Sequence, residues 1–115
     1  MKDWTAIRER YLRDDLPVRL GGLAANLSRI KSFAINEKNK SLVENLLDES
    51  KHFIEWTAQE TEIETAAQLV ELQVQLARWQ LNLDRNWPDT DQRKHIAEQS
   101  NIWSQQILTA SGLLA

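Results

Sequence analysis

The sequence predicts an all-α protein, an up-and-down four-helix bundle with an additional short N-terminal helix, in one domain spanning residues 1–115. Three observations lead there. Apolar residues recur at helical spacing and no convincing alternating strand is found. Only three glycines and two prolines interrupt 115 residues. Helix-start and helix-stop residues then divide the chain into segments of ordinary helical length, enough for one domain to bury a core without staples.

The first helix is predicted over residues 3–13, with Trp4, Ile7 and Tyr11 on one side. Pro17 would break a helix interior but suits a first turn, and Asp14 or Asp15 can cap a second helix over 16–35. Leu16, Leu20, Leu23, Leu27, Ile30 and Ala34 form its apolar face, and "NEKNK" closes it. Ser41 and Glu44 then match a capping box, in which the hydroxyl takes an orphan backbone N–H and the carboxylate reaches back. They open a third helix over 42–58, whose arc carries Leu42, Leu46, Ser50, Phe53 and Thr57, with Val43, Leu47 and Ile54 alongside.

Thr61 and Glu64 repeat the box before a fourth helix over 62–86. Gln59-Glu60 lacks Gly and Pro, so residues 42–86 read as two helices or as one kinked helix. Trp87-Pro88 ends the fourth, Asp89 or Thr90 starts the fifth over 90–111, and Gly112 stops it. In that last helix Ile96, Ser100, Trp103, Ile107, Ala110 and Leu114 keep alternating steps of four and three. Such seams favour near-antiparallel helices joined by short loops.

Composition narrows the chemistry. With no cysteine, disulfides, thiolate catalysis and cysteine-based zinc sites are excluded. The stretch "MKDWTAIRERYLRDD" is too charged for a secretory signal and no apolar run approaches a membrane span, so a cytoplasmic protein without membrane contact is expected. Asn26-Leu27-Ser28 and Asn39-Lys40-Ser41 match the glycosylation pattern by chance. Net charge is −3, unevenly laid down: residues 1–40 carry nine Lys/Arg against five Asp/Glu, and residues 41–75 one Lys against eight acids. Attraction between these regions, or between protomers, explains the asymmetry most simply.

The stretch "RLGGLAANLSRIKS" invites a phosphate-loop reading, but Gly21 follows no strand and starts no helix, and no Lys-Ser/Thr pair comes directly after the glycines. Gly21, Ala25, Ser28 and Ser32 instead make a small-residue stripe about 140° from the leucine face. Two adjacent glycines cost a helix about 2 kcal/mol. Close packing of the first helix or a partner chain against Gly21 and Ala25 is therefore expected.

"ESKH", Glu49 to His52, is half of the carboxylate-bridged di-metal pattern of four-helix bundles. No second copy exists, and His52 falls about 160° from the apolar arc of its helix, toward solvent. His95 stands before Glu98 in the reverse order and reads as a surface or interface residue. Asp14-Asp15 and Asp89/Asp91 sit where helix starts favour negative charge. No nucleophile–base pair is visible, so no catalytic, cofactor-binding or metal-ligating residue is assigned and the histidines are expected to behave as ordinary exposed imidazoles.

Basic residues interleave with aromatics in "WTAIRERYLR". A basic arm of Arg8, Arg10, Arg13, Arg19, Arg29 and Lys31, with Trp4 or Tyr11 stacking on bases, gives an alternative reading as a nucleic-acid or nucleotide binder, which the acidity of the whole chain disfavours. Of five tryptophans, Trp79 and Trp103 lie on core stripes, Trp56 at the margin of its arc, and Trp4 and Trp87 near helix ends, where partly exposed aromatics suit interfaces.

Residues 11–33, "YLRDDLPVRLGGLAANLSRIKSF", resemble the N-terminal part of small uncharacterised helical proteins of cyanobacteria. The resemblance covers the first third of the chain. It implies a cytoplasmic bundle from a photosynthetic bacterium and carries no catalytic residue across.

The fourth helix has two apolar stripes. Leu69, Leu72, Leu76, Trp79 and Leu83 make one; Ile63, Val70, Val74, Ala77 and Leu81 make another, about 160° away. Gln73 and Gln80 lie between them, and Glu64, Gln68, Glu71, Gln75, Arg78 and Asn82 form the polar arc. One apolar face is what a helix in a monomeric bundle needs, and the first helix is too short to cover the second. The expectation is a homodimer, with Leu69, Leu72, Gln73, Leu76, Trp79, Gln80, Leu83, Gly21 and Ala25 as interface candidates. The functional reading is a non-enzymatic, self-associating interaction module, with room for an unidentified protein partner. A third reading, a ligand-binding or catalytic bundle, would need an interior polar pocket around Gln73 and Gln80.

Overall fold

The computed structural model describes residues 2–113. Within them run α1 (Trp4–Leu12), α2 (Leu16–Phe33), α3 (Lys40–Thr57), α4 (Ile63–Leu81), α5 (Leu83–Asn86) and α6 (Thr90–Ser111), with 3-10 turns at Glu37–Asn39 and Ala58–Glu60. The four long helices α2, α3, α4 and α6 pack together, and α1 is added at the N-terminus. Cross-ties give the directions. Arg19 reaches Glu60 while Asn26 reaches Glu49, so α2 and α3 run antiparallel. Ala24 accepts from Ser104 and Gly21 lies under Leu113, so α2 and α6 do too.

Leucine and isoleucine fill the centre. Leu23, Leu27 and Ile30 from α2, Val43, Leu47 and Ile54 from α3, Leu69, Leu72 and Leu76 from α4 and Ile107 from α6 are inaccessible to solvent. Leu42 is 46% exposed, because the buried arc of α3 is rotated toward Val43 and Leu47. In α6, Ile96, Ser100 and Ile107 are buried, whereas Trp103 and Ala110 are half-buried; Leu114 lies outside the described residues. The hydroxyls of Ser50 and Ser100 are buried without a hydrogen-bond partner.

Helix ends follow the expected chemistry around α6 and depart from it at α2, α3 and α4. Asp3 caps α1 through its side chain, and Asp89 caps α6 by accepting from the N–H groups of Asp91 and Gln92. Gly112 ends α6 at φ 79°, a left-handed conformation for which glycine has no Cβ penalty. Neither capping box forms. α3 starts at Lys40, already inside which Ser41 lies, because the preceding 3-10 turn leads straight into the helix. At the second site Thr61 donates its hydroxyl to the carbonyl of Ala58, and Glu62 becomes the N-cap without a side-chain bond. α2, too, has an N-cap, Asp15, that makes no side-chain capping bond, with Pro17 in its first turn.

Residues 42–86 are separate helices, divided by the turn Ala58–Glu60, and the expected helix over 62–86 is itself interrupted at Asn82. Asn82 donates its side-chain amide to the carbonyl of Arg78 and accepts from Arg85, so local side-chain bonds compete with the helix there. The corner into α6 is fixed by Trp87, whose indole N–H donates to the Glu37 carbonyl at 2.6 Å. Buried Arg93 donates to the Trp87 carbonyl, also at 2.6 Å, with its guanidinium 5.8 Å from the ring centroid. Trp87 is thus a core residue, 4% exposed, and not a partly exposed helix-end aromatic. Trp79 is buried as well, and Trp4, Trp56 and Trp103 are half-buried.

Candidate functional site

The two faces of α4 have opposite fates. Leu69, Leu72 and Leu76 are fully buried, Trp79 is 6% exposed, and Leu83, at the start of α5, is 2% exposed. These five residues were candidates for an interface between chains; they are the inner wall of the chain's own core. The reason is area. Three leucines and a tryptophan remove more apolar surface from water than the alanines and valines that make up the middle of the other stripe, so that face turns inward.

The other stripe is left outside. Ile63 is 87% exposed, Val70 54%, Val74 47% and Leu81 84%, and Ala67 and Ala77 between them are exposed too. Ile63, Ala67, Val70, Val74, Ala77 and Leu81 follow steps of four, three, four, three and four, the spacing of a coiled-coil seam. Together they run about 27 Å along one helix at 1.5 Å per residue. No charged side chain interrupts the line. Glu64, Glu71 and Arg78, all exposed, flank it on one side; half-buried Ala66, Gln73 and Gln80 flank it on the other. Gln73 donates to the carbonyl of Lys51 at 3.4 Å, and the Gln80 carbonyl oxygen is buried without a partner.

The small-residue stripe of α2 does not take another helix. Ala25, Ser28 and Ser32 are exposed and Gly21 is half-buried. What covers Gly21 is Leu113, just past the end of α6: a Cβ at Gly21 would stand 2.7 Å from its Cδ1. A Cβ at Gly22 would meet only Tyr11, at 3.8 Å. The first helix lies instead on α3, so the close backbone approach expected at Gly21 and Ala25 is absent within the described chain. Gly21 and Gly22 line an open groove of about 500 Å³ shared with Tyr11, Asn26, Glu49 and Phe53.

The docking of α1 consumes the aromatics that the nucleic-acid reading needed. Tyr11 is stacked on Phe53, ring centroids 3.9 Å apart, and Trp4 on His52 at 3.8 Å. Lys2 lies over the Trp4 ring at 5.1 Å. His52 is therefore half-buried under Trp4, not turned to solvent, and its Nδ1 lies 2.8 Å from the Asp48 carbonyl. Helical-wheel angles could not show this, because the covering ring comes from another helix. Glu49 binds Asn26 and Lys2. Among the described residues no group of three or more His, Asp and Glu is placed to hold a metal ion.

Arg19 also leaves the basic set. It is 6% exposed and makes a two-pronged ion pair with Glu60, at 2.7 and 2.9 Å, while its Nε donates to the Asp14 carbonyl. The Glu60 partnership raises the guanidinium pKa further and holds the Glu60 carboxyl below its ordinary range. Arg29 donates to Asn26. Arg8 and Arg10 in α1, Arg13 just past its end and Lys31 in α2 remain exposed, with Arg8 lining a shallow groove together with Glu55 and Glu60. Nor do Gln73 and Gln80 line the groove at Gly21 or the one between α4 and α6, which is walled by Gln68, Ile102, Gln105, Gln106 and Thr109.

The fold and this surface define an all-α helical bundle with one long apolar helix face left uncovered. No helix among the described residues is long and apolar enough to cross a membrane. Compared with known proteins, the chain matches no protein-family model, no curated protein and no solved structure.

Proposed function

We propose that the protein is a non-enzymatic helical interaction module that self-associates, two copies meeting through the outer stripe of α4. The observation that carries this reading is the exposure of Ile63, Val70, Val74 and Leu81 in one uninterrupted heptad line. Scattered surface leucines are ordinary, whereas an aligned apolar face of this length is the mark of a docking surface. Its profile favours a second copy over a foreign helix. Read from either end, the stripe runs large, small, medium, medium, small, large, and a two-fold contact requires one patch to complement itself. A cytoplasmic setting in a photosynthetic bacterium, implied by the resemblance of residues 11–33, accords with this role.

Light scattering at micromolar concentration tests the proposal. The expected mass is twice the 13.4 kDa of one chain. A variant with Val70→Glu and Val74→Glu should run as a single chain with unchanged helical circular dichroism, because both positions are solvent-exposed in the folded chain. A wild-type species that stays at 13.4 kDa overturns the reading.

A further inference from the structure

We infer that the two α4 helices run antiparallel, about a two-fold axis level with Leu72. The inference rests on the self-association reading and adds a polarity and a register to it. Ile63 then packs against Leu81 of the partner subunit, Ala67 against Ala77 of the partner subunit, and Val70 against Val74 of the partner subunit. Size alone does not choose between orientations, since a parallel pair in register also matches like with like. Charge does.

The start of α4 is acidic, with Glu62 and Glu64 exposed and Glu60 before them already paired with Arg19, while its end carries exposed Arg78 and, in α5, Arg85. Asp84 at that end is paired with Lys40. A parallel pair would gather the acidic ends of both copies and align the two helix macrodipoles, both unfavourable. An antiparallel pair sets each acidic end against a basic one. On the flank of the seam, Glu64 comes beside Arg78 of the partner subunit, and the symmetry makes this contact twice. On the opposite flank Gln73 meets the partner's Gln73, an amide that donates and accepts. Glu71 approaches the partner's Glu71 near the axis, a like-charge contact, so Glu71→Gln should tighten the dimer. The small side chains of Ala67 and Ala77 let the helix axes come to about 8 Å, the close end of the usual range.

Cross-linking decides the polarity, because the natural chain has no cysteine. Ala67→Cys and Ala77→Cys are made separately, one carrying a tag that changes its mass, and each is oxidised alone and after mixing. Antiparallel pairing predicts a covalent heterodimer in the mixture. It predicts little product from either variant alone, whose two thiols would lie about 15 Å apart along the helix. Strong cross-linking of each variant with itself, and none between them, overturns the inference while leaving the dimer intact. A dimer by light scattering that cross-links in neither pattern overturns it as well. A wild-type chain that never dimerises removes the proposed function itself. Circular dichroism on each variant confirms that the fold survives the exposed substitution.

Discussion

Arg19 and Glu60, forty-one positions apart in sequence, are joined by a two-pronged ion pair at 2.7 and 2.9 Å that ties the start of α2 to the turn after α3. The turn Ala58–Glu60 that carries this carboxylate separates α3 from α4, which begins at Ile63.

The pair predicts an acid-dependent loss of stability. Arg19 lowers the Glu60 pKa below its ordinary 4.5. A carboxyl whose folded value is depressed stabilises above its unfolded value, and the contribution disappears as pH falls through the folded one. The difference in Tm between wild type and Glu60→Gln should therefore be largest near neutrality and close below pH 4.5. Arg19→Ala should cost on the order of 2 kcal/mol, because charged hydrogen bonds and a buried stem are lost together. Thermal melts across an acid pH series measure both.

Tyr11 predicts the alkaline limb. Burial pushes its phenol from 10.0 up to about 12, a shift that the hydrogen bond from Thr57 and the nearby Arg19 charge only partly oppose. Its hydroxyl donates to the Arg19 carbonyl at 2.9 Å and accepts from Thr57 at 3.2 Å. The neutral form is the one the fold favours, so this contribution is complete below pH 10.0 and is lost as pH rises toward about 12. The chain has one tyrosine, so phenolate absorbance reads this titration directly. Tyr11→Phe should cost about 1 kcal/mol near neutrality and remove that part of the alkaline decline.

The two faces of α4 should answer truncation differently. Leu72→Ala leaves a cavity in the core and should cost about 2–5 kcal/mol in urea unfolding. Val74→Ala, measured at concentrations where the chain is single, should change stability by less than about 0.5 kcal/mol. The same valine substitution should weaken self-association. Equal costs for both positions would mean that the outer stripe is packed within the chain.

The glycine pair gives a prediction in the stabilising direction. A methyl at Gly22 would meet Tyr11 at an ordinary 3.8 Å, so Gly22→Ala should recover about 1 kcal/mol of helix propensity. Gly21→Ala should gain less, since the end of the Leu113 side chain, 2.7 Å from the added atom, must swing aside. Comparing the Tm values of the single variants checks the order.

Local pattern determined the helices and most of their inner faces. Leu20, Leu23, Leu27 and Ile30, or Val43, Leu47 and Ile54, announce burial because helical periodicity is a property of neighbouring residues. Asp89 and Gly112 did the same for the ends of α6, since each acts on backbone within its own turn. The sequence by itself also showed that α4 has two apolar stripes. Only the tertiary structure decided which one turns inward: Leu69, Leu72, Leu76 and Trp79 won that competition against neighbours on other helices. It likewise decided that Thr61 bonds to Ala58 instead of completing a capping box, that Leu113 and not a helix covers Gly21, and that His52 lies under Trp4. Each of these depends on partners brought together from distant positions, and a periodicity carries no information about what will arrive on the other side.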